Sequence, residues 1–257
     1  MKRGKHRSAM RARLCALLAL YLLAAPVSAQ GPAAYKVLIP NVAPWQMENR
    51  QEKAGIHVEL LRAIETTSRL HFAITPVVYA RMAHELKAGA TDFAIGVDSP
   101  QMNEAGQKIG MVLKTQTIIL SSKRLAITDL ADLHGKVLGI VRGAWYSDRI
   151  SADAQINKHV VATIDQGVRM VAAGRIDALI GTKLAIAYAI SSGGKPAGTF
   201  ATPYEFAPIE FALYARAGMS QEIVDRLRSS LARLDESKER ESIVARYTEG
   251  AFGAGLK

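Results

Sequence analysis

Leu86-Lys87-Ala88-Gly89-Ala90-Thr91-Asp92-Phe93-Ala94-Ile95-Gly96 recurs, without a gap, as Val171-Ala172-Ala173-Gly174-Arg175-Ile176-Asp177-Ala178-Leu179-Ile180-Gly181. Five of the eleven positions are identical, including both glycines and the aspartate, at a constant offset of 85 residues. Each copy reads as a helix ended by a glycine, a tight turn, and a buried strand closed by a second glycine. The competing reading is chance recurrence of a common helix-turn-strand unit. A single duplication at this spacing points to two similar α/β units rather than to a solenoid array. Ligands of open α/β sheets bind outside the carboxyl ends of the strands. The repeat therefore directs attention to Asp98-Ser99 and to Thr182-Lys183.

Working outward, short apolar runs alternate with amphipathic ones. Strands are expected at Tyr35–Pro40, Phe72–Val78, Phe93–Val97, Ile118–Leu120, Val137–Val141, Val160–Ile164 and Phe211–Ala215. Helices are expected over His57–Leu70 and Arg81–Ala88, and from Ser220, with Ile223, Leu227, Leu231 and Leu234 on one face. Thr163-Ile164-Asp165-Gln166 has the spacing of a capping box. Such alternation predicts an α/β protein with mainly parallel sheets.

The chain has 257 residues and a formal net charge of +10. Six basic residues and no acid fall within residues 1–29, followed by the apolar run Leu14–Ala25 and the small residues Val27-Ser28-Ala29. A basic head, a short apolar stretch and small residues before Ala29 predict a cleaved secretory signal. The alternative, a membrane anchor, would need roughly 20 apolar residues. Without that segment the charge falls to +4 over 228 residues, and Cys15, the only cysteine, is gone. The basic excess then speaks for an address rather than for nucleic acid, and thiol chemistry is excluded from the remainder.

Several segments in order resemble the family-3 periplasmic solute-binding proteins, the bilobal (type II) class serving amino-acid ABC transporters. Gly55-Ile56-His57-Val58-Glu59-Leu60-Leu61 is similar to that family's helix start, and Tyr79 to Asp92 to its aromatic-led segment. Asp129 to Gly143 resembles the stretch that opens the second lobe, and Ala173-Gly174-Arg175-Ile176-Asp177-Ala178 its glycine-arginine turn. The resemblance implies two lobes joined by two hinge-crossing strands. Lobe one would take residues 30–113 and 211–257 and lobe two residues 117–207, with hinges near 113–116 and 208–210. It also implies a periplasmic, monomeric receptor that delivers a small polar solute to an ABC permease, without enzymatic activity, cofactor, metal or nucleic acid. The alternatives are a sensory ligand-binding protein and, less favoured, an enzyme resembling cyclohexadienyl dehydratases.

Two departures from the family pattern bear on the ligand. Where amino-acid binders carry Thr-Pro-x-Arg, this chain has Ser99-Pro100-Gln101-Met102, and a thioether cannot clamp a carboxylate as a planar guanidinium does. The position of the ammonium-binding aspartate is Thr182. What remains to line a cleft is Asn41 and Trp45 in the first strand-helix loop, Tyr79 and Arg81, Asp98 and Ser99, Arg142 and Trp145 in the equivalent second loop, and Thr182. Flat rings cover planar solutes, and arginines offer a substitute anion anchor. Glu205 and Glu210 near the second hinge read as solvated or hinge-bonded. Gly193-Gly194-Lys195-Pro196 resembles a phosphate loop only superficially, lacking its first glycine and the final Ser/Thr. The five histidines after residue 29 show no metal-ligand spacing.

Overall fold

The two copies of the repeat build the same corner. Gly89 and Gly174 adopt φ of 70° and 66°, the left-handed conformation that ends a helix without a Cβ clash. Asp92 and Asp177 then do identical work. The Asp92 carboxylate accepts from Lys36 N–H at 2.9 Å, while its own N–H donates to Lys36 O. Asp177 accepts from Val137 N–H at 2.7 Å and donates to Val137 O. Each aspartate thus staples its strand to the start of the neighbouring parallel strand, which explains why these positions match across the repeat.

A computed structural model describes residues 34–48, 53–194 and 198–248. The expected leader over 1–29, with Cys15, lies outside these residues, as do Lys195 and Pro196 of the glycine run. The strands are β1 Tyr35–Pro40, β2 Met47–Glu48, β3 Lys53–Ala54, β4 Phe72–Val77, β5 Phe93–Val97 and β6 Gln107–Ser121. They continue with β7 Val137–Val141, β8 Asn157–Val161, β9 Ala178–Thr182 and β10 Tyr204–Ala215. The helices are α1 Ile56–Ser68, α2 Tyr79–Lys87, α3 Pro100–Ala105, α4 Asp148–Ala152, α5 Ile164–Ala172, α6 Lys183–Ser192, α7 Gln221–Glu236 and α8 Glu239–Thr248.

One sheet runs β4-β1-β5-β10-β6-β9-β7-β8. Its two wings, β4-β1-β5 and β9-β7-β8, are parallel. The centre differs from the mainly parallel expectation, because β10 and β6 run antiparallel to each other and to their neighbours. The short strands expected at Ile118–Leu120 and Phe211–Ala215 are the ends of these 15- and 12-residue strands. The segments placed as hinges pair directly: Leu113 with Phe211, Lys114 with Glu210, Thr115 with Ile209, and Gln116 with Pro208.

The strand expected over Val160–Ile164 is displaced to Asn157–Val161, because Thr163 caps α5. Thr163 Oγ1 accepts from Gln166 N–H at 3.0 Å, but Gln166 reaches back to Ala162 N–H rather than to Thr163. Only half of the capping box forms, displaced by one residue.

Apolar faces bury on both sides of each wing. Around β1 and β5, one face packs Ile56, Leu60, Leu61 and Ile64 of α1 with Leu227 and Leu231 of α7. The other face packs Met82 and Leu86 of α2 with Met102 and Ala105 of α3. In the second wing, Val168 and Val171 of α5 and Ile186 and Ala189 of α6 cover one face, and Leu130, Leu133 and Ile150 the other. Among the described residues no helix is long and apolar enough to cross a membrane.

Candidate ligand-binding cleft

The carboxyl ends of β1, β5, β7 and β9 converge, as open α/β sheets direct. The loops and helix starts that follow them wall two adjoining cavities. The smaller, about 20 Å³, is enclosed by Trp45 and Tyr79 from the first wing, Tyr146 and Thr182 from the second, and Phe211 of β10. That is room for about one water molecule. The larger, about 310 Å³, opens between Met82 and Met102 on one side and Gly143 and Trp145 on the other. Tyr79, Val97 and Trp145 line both.

The wings touch across this cleft. A Cβ on Gly143, which has a φ of 73°, would lie 2.5 Å from both the N and Cα of Ala80. The loop after β7 therefore reaches the first turn of α2 only because residue 143 lacks a side chain.

Trp45, expected in a loop and open to stacking, is fully buried. Its indole packs against both the His57 imidazole, with centroids 5.1 Å apart, and the Phe211 ring at 5.0 Å. Its Nε1 has no hydrogen-bond partner among the described residues. Burial holds the His57 pKa down to about 3, so this imidazole is neutral. Neither ring nitrogen is hydrogen-bonded among the described residues. Thr182 begins α6 without capping it, and its buried Oγ1 is also unpartnered. Tyr79 is half-buried; burial and the nearby Tyr146 push its phenol far above the usual range, so it remains a neutral hydroxyl. Trp145 is half-buried, with Nε1 3.4 Å from Asp148 Oδ1.

The other expected site residues have different employment. Ser99 lines the larger cavity, but its Oγ caps α3 by accepting from Met102 N–H at 3.3 Å. Asp98 lines neither cavity. Its carboxylate accepts from Lys108 at 2.7 Å and from Asn103 and Tyr214 at 3.0 Å. Burial raises the Asp98 pKa, but these hydrogen bonds outweigh it and the net shift is downward. Lys108 also holds Glu210 at 2.6 Å, and Lys183 holds Glu205 at 2.9 Å. Arg81 is exposed and pairs with Glu85 one turn on. Arg142 and Asn41 are exposed and line neither cavity.

The sequence reading missed Met82, Tyr146 and Phe211. Phe211 is one apolar residue in an apolar run, and Met82 and Tyr146 stand among charged and polar neighbours, so nothing but the tertiary fold distinguishes them. Met102 was singled out for what it replaces; the structure adds that its thioether packs against Gly96 and lines the larger cavity.

No family model matches the chain, and no curated protein matches it. Solved structures do match in fold. An ancestral arginine-binding protein bound to glutamine superposes with a TM-score of 0.72 at 14% identity, over 85% of this chain and 99% of that one. A substrate-binding protein of an ABC uptake transporter from Streptococcus pneumoniae, with bound histidine, gives 0.72 at 15% identity over 85% and 93%. A histidine kinase sensor domain with similarity to periplasmic binding proteins gives 0.71 at 18% identity over 88% and 99%. The chain has the two-winged α/β fold of the type II substrate-binding proteins, the fold that its motifs implied.

Proposed function

We propose that this chain is a solute receptor that encloses a small molecule between its two wings. The observation that carries the reading is the placement of Trp45, Tyr79, Trp145 and Thr182, contributed by both wings, around cavities at the carboxyl ends of the parallel strands. In this reading the wings are the lobes, residues 30–113 with 211–257 and 117–207. The paired segments 113–116 and 208–210 carry the hinge. A few residues absorbing φ/ψ change suffice for such motion. The protein is exported to the periplasm by its leader, acts as a monomer, and hands its solute to an ABC permease.

Binding rather than catalysis is favoured by Asp98, the carboxylate a dehydratase-like reaction would use, which is committed to Lys108, Asn103 and Tyr214 away from both cavities. Sensory output is the second reading, favoured by the fold match to a kinase sensor domain. Cross-linking in native membranes separates the two: recovery of a permease supports transport, and recovery of a sensor kinase supports signalling. Receptor function itself is tested by thermal unfolding across a panel of amino acids, polyamines, organic acids and aromatic solutes. At 100-fold over Kd a ligand adds about 2.7 kcal/mol, a shift of several degrees. A panel without any shift counts against the reading.

A further inference from the structure

We infer that the cleft selects an uncharged, flat aromatic solute, held by ring and thioether contacts and a single hydrogen bond instead of ion pairs. The inference rests on the receptor reading and names its ligand class. The larger cavity, about 310 Å³, is of a size to take a small ring system. Among the described residues no charged side chain lines either cavity. The nearby charges are placed elsewhere: Asp98 is bound to Lys108, Arg81 is exposed beside Glu85, and Arg142 lines neither space. An ionised carboxylate or ammonium entering here would lose its water with no counter-charge to replace it.

The walls suit a ring. Tyr79 and Trp145 border both cavities with flat faces, and the thioethers of Met82 and Met102 offer polarizable contacts favoured against aromatic edges. The polar demand is small and specific. Trp45 and Thr182 line the small cavity, and their Nε1 and Oγ1 are buried without a hydrogen-bond partner among the described residues. That space fits one oxygen-sized group, and a hydroxyl or carbonyl there accepts from the indole N–H. Ser99 and Gln101 add neutral polarity at the wall of the larger cavity.

Isothermal titration calorimetry tests this with p-cresol and indole as uncharged probes and benzoate, histidine and arginine as charged ones. Kd values of about 1 mM or tighter are expected for p-cresol and indole, with the charged solutes at least roughly tenfold weaker. Trp145→Ala is expected to weaken p-cresol by about tenfold or more. Gln101 is exposed, so Gln101→Glu leaves the fold intact and puts a carboxylate on the cavity wall. It is expected to shift preference from p-cresol towards benzylamine by severalfold. If arginine or histidine binds more tightly than p-cresol and Trp145→Ala abolishes that binding, the selectivity is overturned while the receptor reading stands. Binding of p-cresol indifferent to Trp145→Ala also overturns it. Absence of binding by every probe removes both the selectivity and the receptor reading.

Discussion

The indole of Trp45 stacks on the imidazole of His57, with ring centroids 5.1 Å apart and planes 16° from parallel. Phe211 closes the cluster, edge-on to His57 at 4.9 Å. The imidazole is neutral because burial disfavours its charged form, with a folded pKa of about 3 against an ordinary 6.5. Between those values the unfolded chain binds the extra proton and the native state does not. Stability from this group is therefore complete above pH 6.5 and declines as pH falls, by up to about 1.4 kcal/mol per unit. In chemical denaturation from pH 7.5 to 4.5, His57→Phe keeps the aromatic packing and flattens the slope. An unchanged slope in the variant would remove His57 from the explanation.

Gly143 supplies a steric test of how the wings meet. Alanine there would need a left-handed backbone and would place its methyl 2.5 Å from Ala80 backbone atoms. Because the clash exists only where the wings touch, Gly143→Ala should hold them apart more than it unfolds the protein. X-ray scattering is expected to show a larger radius of gyration than wild type, with far-ultraviolet circular dichroism unchanged. Equal radii would mean that the loop yields in some other way.

Arg240 secures the central strands from behind. It is buried, and its guanidinium donates to Val112 O at 2.6 Å, to Met111 O at 3.4 Å, and to Asp235. The ladder between β6 and β10 slips at this point: Phe211 pairs with Leu113 and Ala212 with Met111, so Val112 has no cross-strand partner. At the bulge the arginine donates to the Val112 carbonyl. Arg240→Leu strands that acceptor, for a loss of roughly 2–4 kcal/mol by urea denaturation. A loss below about 0.5 kcal/mol would mean that water serves the bulge equally well.

Thr182→Val separates stability from binding at one atom. The buried hydroxyl has no partner among the described residues and does not cap α6, so replacing it with a methyl relieves an unmet polar group at constant shape. Unliganded protein should melt a few degrees higher, consistent with a gain of about 1 kcal/mol. If Thr182 contacts the solute's oxygen, affinity for p-cresol falls severalfold in the same variant. A variant that is both less stable and unaffected in binding would contradict this assignment.

The parts of the fold written in local chemistry were legible. The matched Gly89/Gly174 pair encodes a turn that needs no distant partner, the Asp92/Asp177 pair recurs with it in the repeat although its bonds reach the neighbouring strand, and β1, β5 and β7 coincide with the apolar runs. The central strands were hidden because Lys108, Lys114, Glu205, Pro208 and Glu210 interrupt any alternation. Their stability comes from pairing across about a hundred residues, as in the Lys108–Glu210 ion pair. Of the expected site residues, Trp45, Tyr79, Ser99, Trp145 and Thr182 line the cavities; Asn41, Arg81, Asp98 and Arg142 do not. The rings were expected from their position after strands, and there they line the cavities. The charged residues were misplaced because residue type cannot reveal a competing partner, such as Lys108 for Asp98 or Glu85 for Arg81.

Closure of the wings around a solute is the central claim, and a distance measured across the cleft tests it most directly. Spin labels at His84→Cys on α2 and Ser151→Cys on α4, both exposed positions, report that distance in the chain without residues 1–29, which carries no other cysteine. Double electron–electron resonance would be recorded with and without saturating p-cresol. The account predicts a broad distribution of longer distances without solute that collapses to a single shorter one with it. A distribution identical in both conditions would contradict it.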